Sequence, residues 1–264
     1  MRKCGINFKA HHGMGDEDYI KCMKEVGFDA VFTGMIEPER HPQVAEWFAK
    51  YGLSHEFIHS HFGHINDMWL DCEEGEQMNR DLLESVDRCA MLNVPVCVVH
   101  LSSGENPPSI TDIGRRRYTE LVEYAGKKGV KIAFENLRKL ANVAWTMETF
   151  ADCEHVGFCW DTGHELCYTP NVEFMALFGK RLMCTHIHDN RGIPRADDHM
   201  LPFDGKLNWD RFAEHIRNSG YDGTLMLEVT SRKIPELYET ITAEQYLIKA
   251  ASAAHKLRDM VDRT

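Results

Sequence analysis

The sequence contains no long hydrophobic run and no surplus of positive charge. No segment reaches the ~18 consecutive apolar residues that a membrane-spanning helix needs, so no membrane span is predicted. The first residues, MRKCGINFKAHHG, are not followed by an apolar stretch, and no signal peptide is expected. The net charge of −11 argues against nucleic acid as a partner, because polyanions usually bind a net-basic surface.

The nine cysteines form no CxxC pair and no spacing typical of a disulfide framework. We expect reduced, mostly buried thiols in a cytoplasmic protein. GxGxxG and Walker patterns are also absent, which argues against a doubly wound nucleotide-binding sheet. The 15 histidines and 41 acidic residues instead suggest a catalytic metal site rather than a structural zinc.

Short apolar runs alternate with helix-period segments along the whole chain. Each run is rich in Val, Ile, Phe, Cys or Met, as expected of strands that are buried on both faces. The predicted strands cover residues 4–8, 30–34, 54–59, 95–100, 131–135, 156–161, 183–188 and 224–229. Eight strand–helix repeats predict an α/β fold, a single-domain (β/α)8 TIM barrel over residues 1–264.

Three of the intervening helices have clear sequence signals. Apolar residues at helical spacing predict a helix over 74–92, and another helix should end in the basic turn and glycine at 127–129. Asn208 is suited to cap a helix that ends near Gly220. The unit after Asp161 is the weakest, and only a short helix over 172–178 is predicted there.

Metal-binding side chains end the predicted strands, where barrels of this type have their active sites. The last six strands finish in His59, His100, Glu135, Asp161, His186 and Glu228. Charged groups are rarely buried unless they are paired or bound to a metal, so their joint placement on one rim predicts a functional site. Strands five to eight are neighbours, so the last four of these side chains can converge on one Mn²⁺, Mg²⁺, Co²⁺ or Zn²⁺ ion.

Seven motifs resemble those of the xylose isomerase-like TIM barrels. They are HSHFGHIN (59–66), VVHLSSG (98–104), FEN (134–136), DTGH (161–164), HIHD (186–189), DDHMLPFDGKLNW (197–209) and LEV (227–229). The resemblance covers essentially the whole chain. That superfamily includes sugar and sugar-phosphate isomerases and epimerases, and apurinic/apyrimidinic (AP) endonucleases of the endonuclease IV type. It therefore implies the fold and the metal rim without naming a substrate.

Resemblance to the ketose epimerases implies one divalent ion. Its ligands would be Glu135, Asp161, His186 and Glu228. Glu135 and Glu228 would also form the acid/base pair, and His164 of the DTGH motif would contact substrate.

Resemblance to the endonucleases implies three zinc ions, held by the same four residues and five more. The five correspond here to His59, His100, His164, Asp197 and His199. All nine are present, so the ligand count leaves both branches open. The acidic charge favours a small sugar over DNA, as do ENLRKLAN and HLSSG, which replace the ENTAGQG and HPGS segments of those enzymes.

The sequence thus predicts a metal-dependent sugar (phosphate) isomerase or epimerase. A metal on adjacent carbonyl and hydroxyl oxygens of a ketose would acidify the C–H between them, and loss of that proton would give a cis-enediolate. Glu135 and Glu228 can then act from opposite faces. Alternatives are an AP endonuclease, an inosose dehydratase-type lyase and a noncatalytic metal-binding barrel.

Several rim residues are predicted to contact substrate. These are His59, His100, His164, His188, Arg191 and Arg195. By strand alternation His188 points to the same side as His186, one layer further out. Arg191 and Arg195 follow strand seven and can hold a phosphate or hydroxyl group.

Other residues complete the expected site. Phe8, Phe62 and Trp69 are candidates for its apolar walls. His199, with Asp197, is either half of an additional metal site or part of a sugar-binding lid. The expected partner is a small sugar or sugar phosphate, and the resemblance also implies a homo-oligomer.

Overall fold

A computed structural model describes residues 1–263, and over that range eight parallel strands alternate with helices. Strands β1–β8 cover Cys4–Asn7, Ala30–Thr33, Ser54–His59, Val96–Val99, Lys131–Glu135, Val156–Asp161, Leu182–His186 and Leu225–Leu227. They pair in chain order from β1 to β7, and β8 pairs with β1. A parallel bridge between Ile187 and Leu227 joins β7 to β8 and nearly closes the barrel. The predicted TIM barrel is confirmed; Thr264, the last residue of the predicted domain, lies outside the described residues.

Ten α-helices surround the strands within residues 1–263. Helices α1–α10 cover Asp16–Glu25, His41–Tyr51, Glu73–Met91, Asp112–Lys128, Leu140–Thr149, Thr162–Tyr168, Phe174–Phe178, Trp209–Ser219, Pro235–Tyr238 and Ala243–Asp262. Gly129 and Gly220 follow α4 and α8 with φ values of 71° and 76°, left-handed values that favour glycine, so these predicted helix ends are confirmed. None of the helices in this range has the length and apolar character needed to cross a bilayer.

The unit after β6 differs from the prediction. Helix α6 begins at Thr162 because the Asp161 side chain accepts a hydrogen bond from the backbone N–H of His164, at 2.6 Å. A second short helix, α7, occupies only part of the predicted segment 172–178. The strand end that carries a candidate ligand therefore also caps a helix.

Apolar side chains fill both the barrel and the layer between strands and helices. All nine cysteines are free, and seven of them are buried, as expected. Trp69 is fully buried in the outer layer, where it packs on Tyr118 and Trp145 and its Nε1 donates to the Leu101 carbonyl at 2.7 Å. The prediction that Trp69 lines the substrate site is therefore wrong.

Candidate metal centre and active site

Four candidate ligands meet at the carboxyl ends of β5–β8. The parallel register places Asp161 beside His186. Glu228 directly follows β8, and its N–H donates to the Ile187 carbonyl at 3.0 Å. Each of Glu135, Asp161, His186 and Glu228 offers a ligand atom within 4.8 Å of the others. We call these four residues the central cluster.

The central cluster contains buried polar atoms without hydrogen-bond partners. Both carboxylate oxygens of Glu135 and both ring nitrogens of His186 are in this state. His186 Nδ1 lies 3.3 Å from Glu135 Oε2 and 3.5 Å from Glu228 Oε2. Buried acceptors that converge in this way need a cation between them or protons on them. The oxygen-rich donor set fits Mn²⁺, Mg²⁺, Co²⁺ or Zn²⁺.

Carboxylates and imidazoles in the cluster shift one another's pKa. Burial alone would lower the pKa of His186, but Glu228 and Glu135 raise it to about 10. Burial would raise the pKa of Glu228, yet His186 and His199 lower it to about 2. His100 and His186 likewise hold the pKa of Glu135 well below its usual range, against the effect of burial. A divalent ion that binds here must therefore displace protons.

His59 and His100 contact Glu135 from the ends of β3 and β4. Their Nε2 atoms lie 3.4 and 3.2 Å from Glu135 Oε2 and 3.0 Å from each other. His59 Nδ1 donates to the Ser60 carbonyl at 2.9 Å, and in the neutral tautomer that this bond selects, Nε2 presents a lone pair to the cluster. The structure thus brings both histidines to Glu135, where they can bind either an ion or a substrate hydroxyl.

A second group consists of His164, Asp197 and His199, whose ligand atoms also lie within 4.8 Å of one another. His164 Nδ1 is 2.9 Å from Glu135 Oε1, and its Nε2 is 3.7 Å from Asp197 Oδ2. His199 Nε2 is 2.9 Å from the same Asp197 oxygen. All nine residues of the two predicted ligand sets therefore lie at one end of the barrel.

Lys233 distinguishes this second group from the central cluster. Its Nζ donates to Asp197 Oδ2 at 2.9 Å, the oxygen that also contacts His199. A cationic side chain therefore already neutralises this carboxylate. The other oxygen, Asp197 Oδ1, is buried without a hydrogen-bond partner.

His188 contacts Asp161, and it also offers a ligand atom within 4.8 Å of those of His199 and Glu228. It is fully buried, and its Nε2 is 3.1 Å from Asp161 Oδ1. A contact of this kind orients a ligating carboxylate. Gly163 makes room for the ring, because a Cβ at this position would lie 1.9 Å from His188 Cε1.

The two arginines that were predicted to contact substrate are held by carboxylates. Arg191 donates to both oxygens of Asp198, at 3.0 and 2.8 Å. Arg195 Nη1 lies 3.2 Å from Glu105, and the Arg195 side chain is 68% exposed. Either arginine would have to leave its carboxylate before it could bind substrate with the same donors.

A cavity of about 440 Å³ opens at the carboxyl ends of β1–β3 and reaches Glu228. Phe8 and Phe62, the predicted apolar walls of the substrate site, line this cavity, and His59 lies on its polar side. The ring centre of Phe62 is 5.1 Å from that of His59, and the Phe62 residue is 49% exposed. The cavity volume is typical of small-molecule sites.

Asn136 and Asp189 hold the backbone of the site, and their roles were not predicted from the sequence. The Asn136 side chain donates to the Asp161 carbonyl at 2.8 Å and accepts from its N–H at 2.7 Å. Asp189 accepts from the indole of Trp209 and from the backbone N–H groups of Asn190, Phe203, Gly205 and Leu207. In the sequence, both residues are polar and directly follow a predicted strand, and this position could have indicated their roles.

Known proteins share this fold along most of the chain. The family described as the xylose isomerase-like TIM barrel matches residues 20–254. The chain belongs to this family. The predicted family membership is therefore confirmed.

Two relatives of this xylose isomerase-like barrel are uncharacterized proteins. Protein y4fM of Sinorhizobium fredii is 30% identical over 200 residues, which are 70% of this chain and 62% of y4fM. The match thus spans less than two thirds of y4fM. Protein MJ1311 of Methanocaldococcus jannaschii is 25% identical over 212 residues, 71% of each chain.

Solved structures of sugar epimerases superpose on nearly the whole barrel. D-psicose 3-epimerase from Clostridium cellulolyticum H10 has a TM-score of 0.75 at 15% identity, covering 99% of this chain and all of its own. A D-tagatose 3-epimerase-like protein has a TM-score of 0.75 at 20% identity, covering 98% of both chains. The E. coli 3-keto-D-glucoside 4-epimerase has a TM-score of 0.74 at 17% identity, covering 98% of this chain and 100% of its own. At these identities the likeness shows the shared fold.

Proposed function

We propose that this protein is a divalent-metal-dependent isomerase or epimerase of a ketose or related polyol. The observation that carries the proposal is the placement of Glu135 and Glu228. Their carboxylates lie 3.3 and 3.5 Å from the same nitrogen of His186, and they come from strands three positions apart around the barrel. Two carboxyl groups on either side of a substrate carbon, one ionised and one protonated, can exchange protons with that carbon.

The different accessibility of the two glutamates suggests which of them removes the proton and which returns it. Glu228 lines the cavity, and its low pKa keeps it ionised at neutral pH, so we assign it the removal of the proton. Glu135 is fully buried on the other side, and it returns a proton when it is in its protonated form. Return to the same carbon gives an epimer, and return to the neighbouring carbon gives an isomer. Positioned proton transfer typically contributes about 10²–10⁴-fold to the rate.

The central cluster is the proposed ion site. Its ligands would be Glu135, Asp161, His186 and Glu228. When bound, the ion supplies Lewis acidity at adjacent carbonyl and hydroxyl oxygens, worth on the order of several kcal/mol. His59, His100 and His164 surround Glu135 and are proposed to bind substrate hydroxyl groups.

The structural neighbours support this class of reaction, since the solved proteins are named as epimerases of psicose, of a keto-glucoside and, by likeness, of tagatose. Their identity to this chain is at most 20%, so the proposal takes the reaction class from them and leaves the sugar open.

Deuterium incorporation in D₂O, followed by NMR, tests the proposal. The metal-loaded protein is incubated with ketoses, ketose phosphates and inososes. Incorporation at a single carbon identifies the substrate and the reaction, whereas loss of water from an inosose indicates a dehydratase-type lyase. We expect Glu135→Gln and Glu228→Gln to abolish exchange without loss of the fold, and Glu37→Gln, at an exposed glutamate, to leave it unchanged. Full exchange in either active-site variant contradicts the assignment.

The second group of ligands favours one other candidate, a zinc-dependent phosphodiester hydrolase. His164, Asp197 and His199 complete the set of nine residues that such enzymes use for three zinc ions. The net charge of −11 and Lys233 on Asp197 weigh against it. Cleavage of abasic-site DNA, together with three zinc ions per chain, would support the hydrolase.

A further inference from the structure

Arg138 differs from the other arginines at the mouth of the barrel. Its guanidinium carbon lies 3.9 Å from the centre of the Tyr168 ring, and within residues 1–263 it has no hydrogen bond and no ion pair. Arg191 and Arg195, by contrast, are each paired with a carboxylate. Arg138 is a half-buried residue whose guanidinium therefore keeps its N–H donors available for a ligand.

The Arg138–Tyr168 pair adjoins the candidate active site. Arg138 lies three residues after Glu135, on the loop that follows β5. Tyr168 ends α6, and its ring centre is 5.4 Å from that of His164. His164 in turn contacts Glu135 at 2.9 Å. A continuous series of contacts thus joins the guanidinium to the central cluster.

Neighbouring residues fix the backbone that carries Arg138. Leu137 is buried, and Lys139 Nζ donates to the carbonyls of Pro107 and Pro108 at 2.5 and 3.1 Å. Stacking on a partly exposed ring stabilises a guanidinium by less than the rotamer entropy lost when so long a side chain is fixed. Packing alone therefore does not explain why the Arg138 guanidinium is fixed on Tyr168 without a hydrogen-bond partner. A ligand that accepts hydrogen bonds from this guanidinium would explain it.

We propose that Arg138, held on Tyr168, binds an oxyanion of the substrate, a phosphate or carboxylate group remote from the reacting carbon. This inference rests on the proposed isomerase or epimerase function and narrows its substrate to an anionic ketose. The planar guanidinium fork matches either group in a bidentate contact. Because the nearby central cluster is rich in carboxylates, an anionic substrate needs a dedicated cation to bind beside it.

Equilibrium binding tests the anion site without relying on turnover. Calorimetry on the metal-loaded protein compares glycerol 3-phosphate with glycerate, so the two arms separate a phosphate from a carboxylate site. We expect Arg138→Gln to lower the affinity for glycerol 3-phosphate or for glycerate by a factor of at least about ten. Arg138→Lys keeps the charge but loses the planar guanidinium, and should lower the same affinity by less. Arg115→Gln is the matched control, since Arg115 also lies over an aromatic ring, that of Trp145, on the outer helix α4.

Kinetics then separates a substrate contact from a structural role. With a pentulose phosphate or a keto-acid sugar, Arg138→Gln should raise KM about 10- to 100-fold and leave kcat within about twofold. With the uncharged ketose both constants should stay unchanged. Equal effects on charged and uncharged ketoses, or wild-type affinity for both glycerol derivatives, overturn the inference.

The two proposals fail in distinguishable ways. Arg138-dependent binding of glycerol 3-phosphate or glycerate without deuterium exchange in any ketose contradicts the proposed function and leaves the anion site standing. Exchange in ketoses with no dependence on Arg138 contradicts the anion site and leaves the function standing.

Discussion

The imidazole rings of His188 and His199 stack face to face, with centres 3.9 Å apart and planes inclined by 6°. His188 lies two residues after β7 and contacts Asp161, whereas His199 lies further along the same loop and contacts Asp197. His199 Nδ1 also donates to the Glu228 carbonyl at 2.9 Å. The stack therefore holds the long loop after β7 against the central cluster. It also positions two candidate ligands, Asp161 and Asp197.

Replacing His188 with phenylalanine should separate its stacking from its polar contact. The His188→Phe ring can still pack on His199, but the contact with Asp161 at 3.1 Å is lost. Loss of such an orienting partner typically lowers metal affinity about 10- to 100-fold. Titration of a divalent ion against a competing chelator measures the change. His64→Phe, at a side chain that is 73% exposed, is the control, and an unchanged affinity in His188→Phe contradicts the assigned role.

Gly163→Ala should also disturb the contact between His188 and Asp161, because the added methyl group would displace the His188 ring. Its Cβ would lie 1.9 Å from His188 Cε1, so either the imidazole or the start of α6 must move. We expect a loss of about 1–3 kcal/mol in the free energy of unfolding, together with weaker metal binding. Gly34→Ala is matched, because Gly34 follows β2 at the same end of the barrel and its Cβ would meet open space. Equal stability of the two variants in urea would show that the close approach is unimportant.

The fold could be predicted because a parallel barrel repeats one simple pattern. Strands buried on both faces appear as apolar runs in the sequence. Residues at the ends of these strands lie on one rim of the barrel, whatever conformation the loops adopt. This is why the amino-acid pattern alone could place Glu135, Asp161 and His186 together. Trp69 was misplaced because an aromatic residue near the rim has the same sequence signal whether it faces the cavity or the helices.

The loops could not be predicted, because their contacts join distant parts of the chain. Lys233 meets Asp197 across 36 positions, and no local pattern relates the two residues. Asp189 collects five donors that depend on the course of the whole loop after β7. The roles of Arg138 and Arg191 also depended on this geometry, since the sequence cannot tell which arginine is paired with a carboxylate.

The number of bound ions should depend on Lys233. Its ammonium group occupies the Asp197 oxygen that an ion at His164, Asp197 and His199 would use. We expect the wild-type protein to retain one divalent ion per chain and Lys233→Ala to take up an additional ion at the second group. Metal analysis after gel filtration in dilute zinc measures both.

Lys50→Ala provides the control for this experiment, because Lys50 pairs with Glu17 at 2.5 Å and neither residue belongs to a candidate ligand group. Additional zinc in both variants would indicate adventitious binding. Three zinc ions in the wild-type protein, unchanged in Lys233→Ala, would contradict the role of Lys233 and favour the hydrolase.

A buried histidine should make the fold sensitive to mild acid. Arg88 Nη1 donates to His41 Nδ1 at 3.3 Å, so the proton of neutral His41 is on Nε2, which faces Thr33 Oγ1 at 3.0 Å. Burial, helped by the charge of Arg88, lowers the pKa of His41 to about 4. In the unfolded chain the pKa is about 6.5. Between these values the unfolded state binds more protons, so stability falls as the pH is lowered from about 6.5 towards 4.

His41→Gln removes this titration and keeps a side-chain amide that can donate to Thr33. Between pH 6.5 and 4 the free energy of unfolding should fall in both proteins. The fall should be smaller in His41→Gln than in the wild-type protein, by up to about 3 kcal/mol. Urea unfolding at pH 4.5, 5.5 and 7 measures the difference, with His64→Gln as the exposed control. Parallel pH profiles of wild type and His41→Gln would mean that His41 accepts a proton within the fold, and that its contact with Arg88 is not what keeps it neutral.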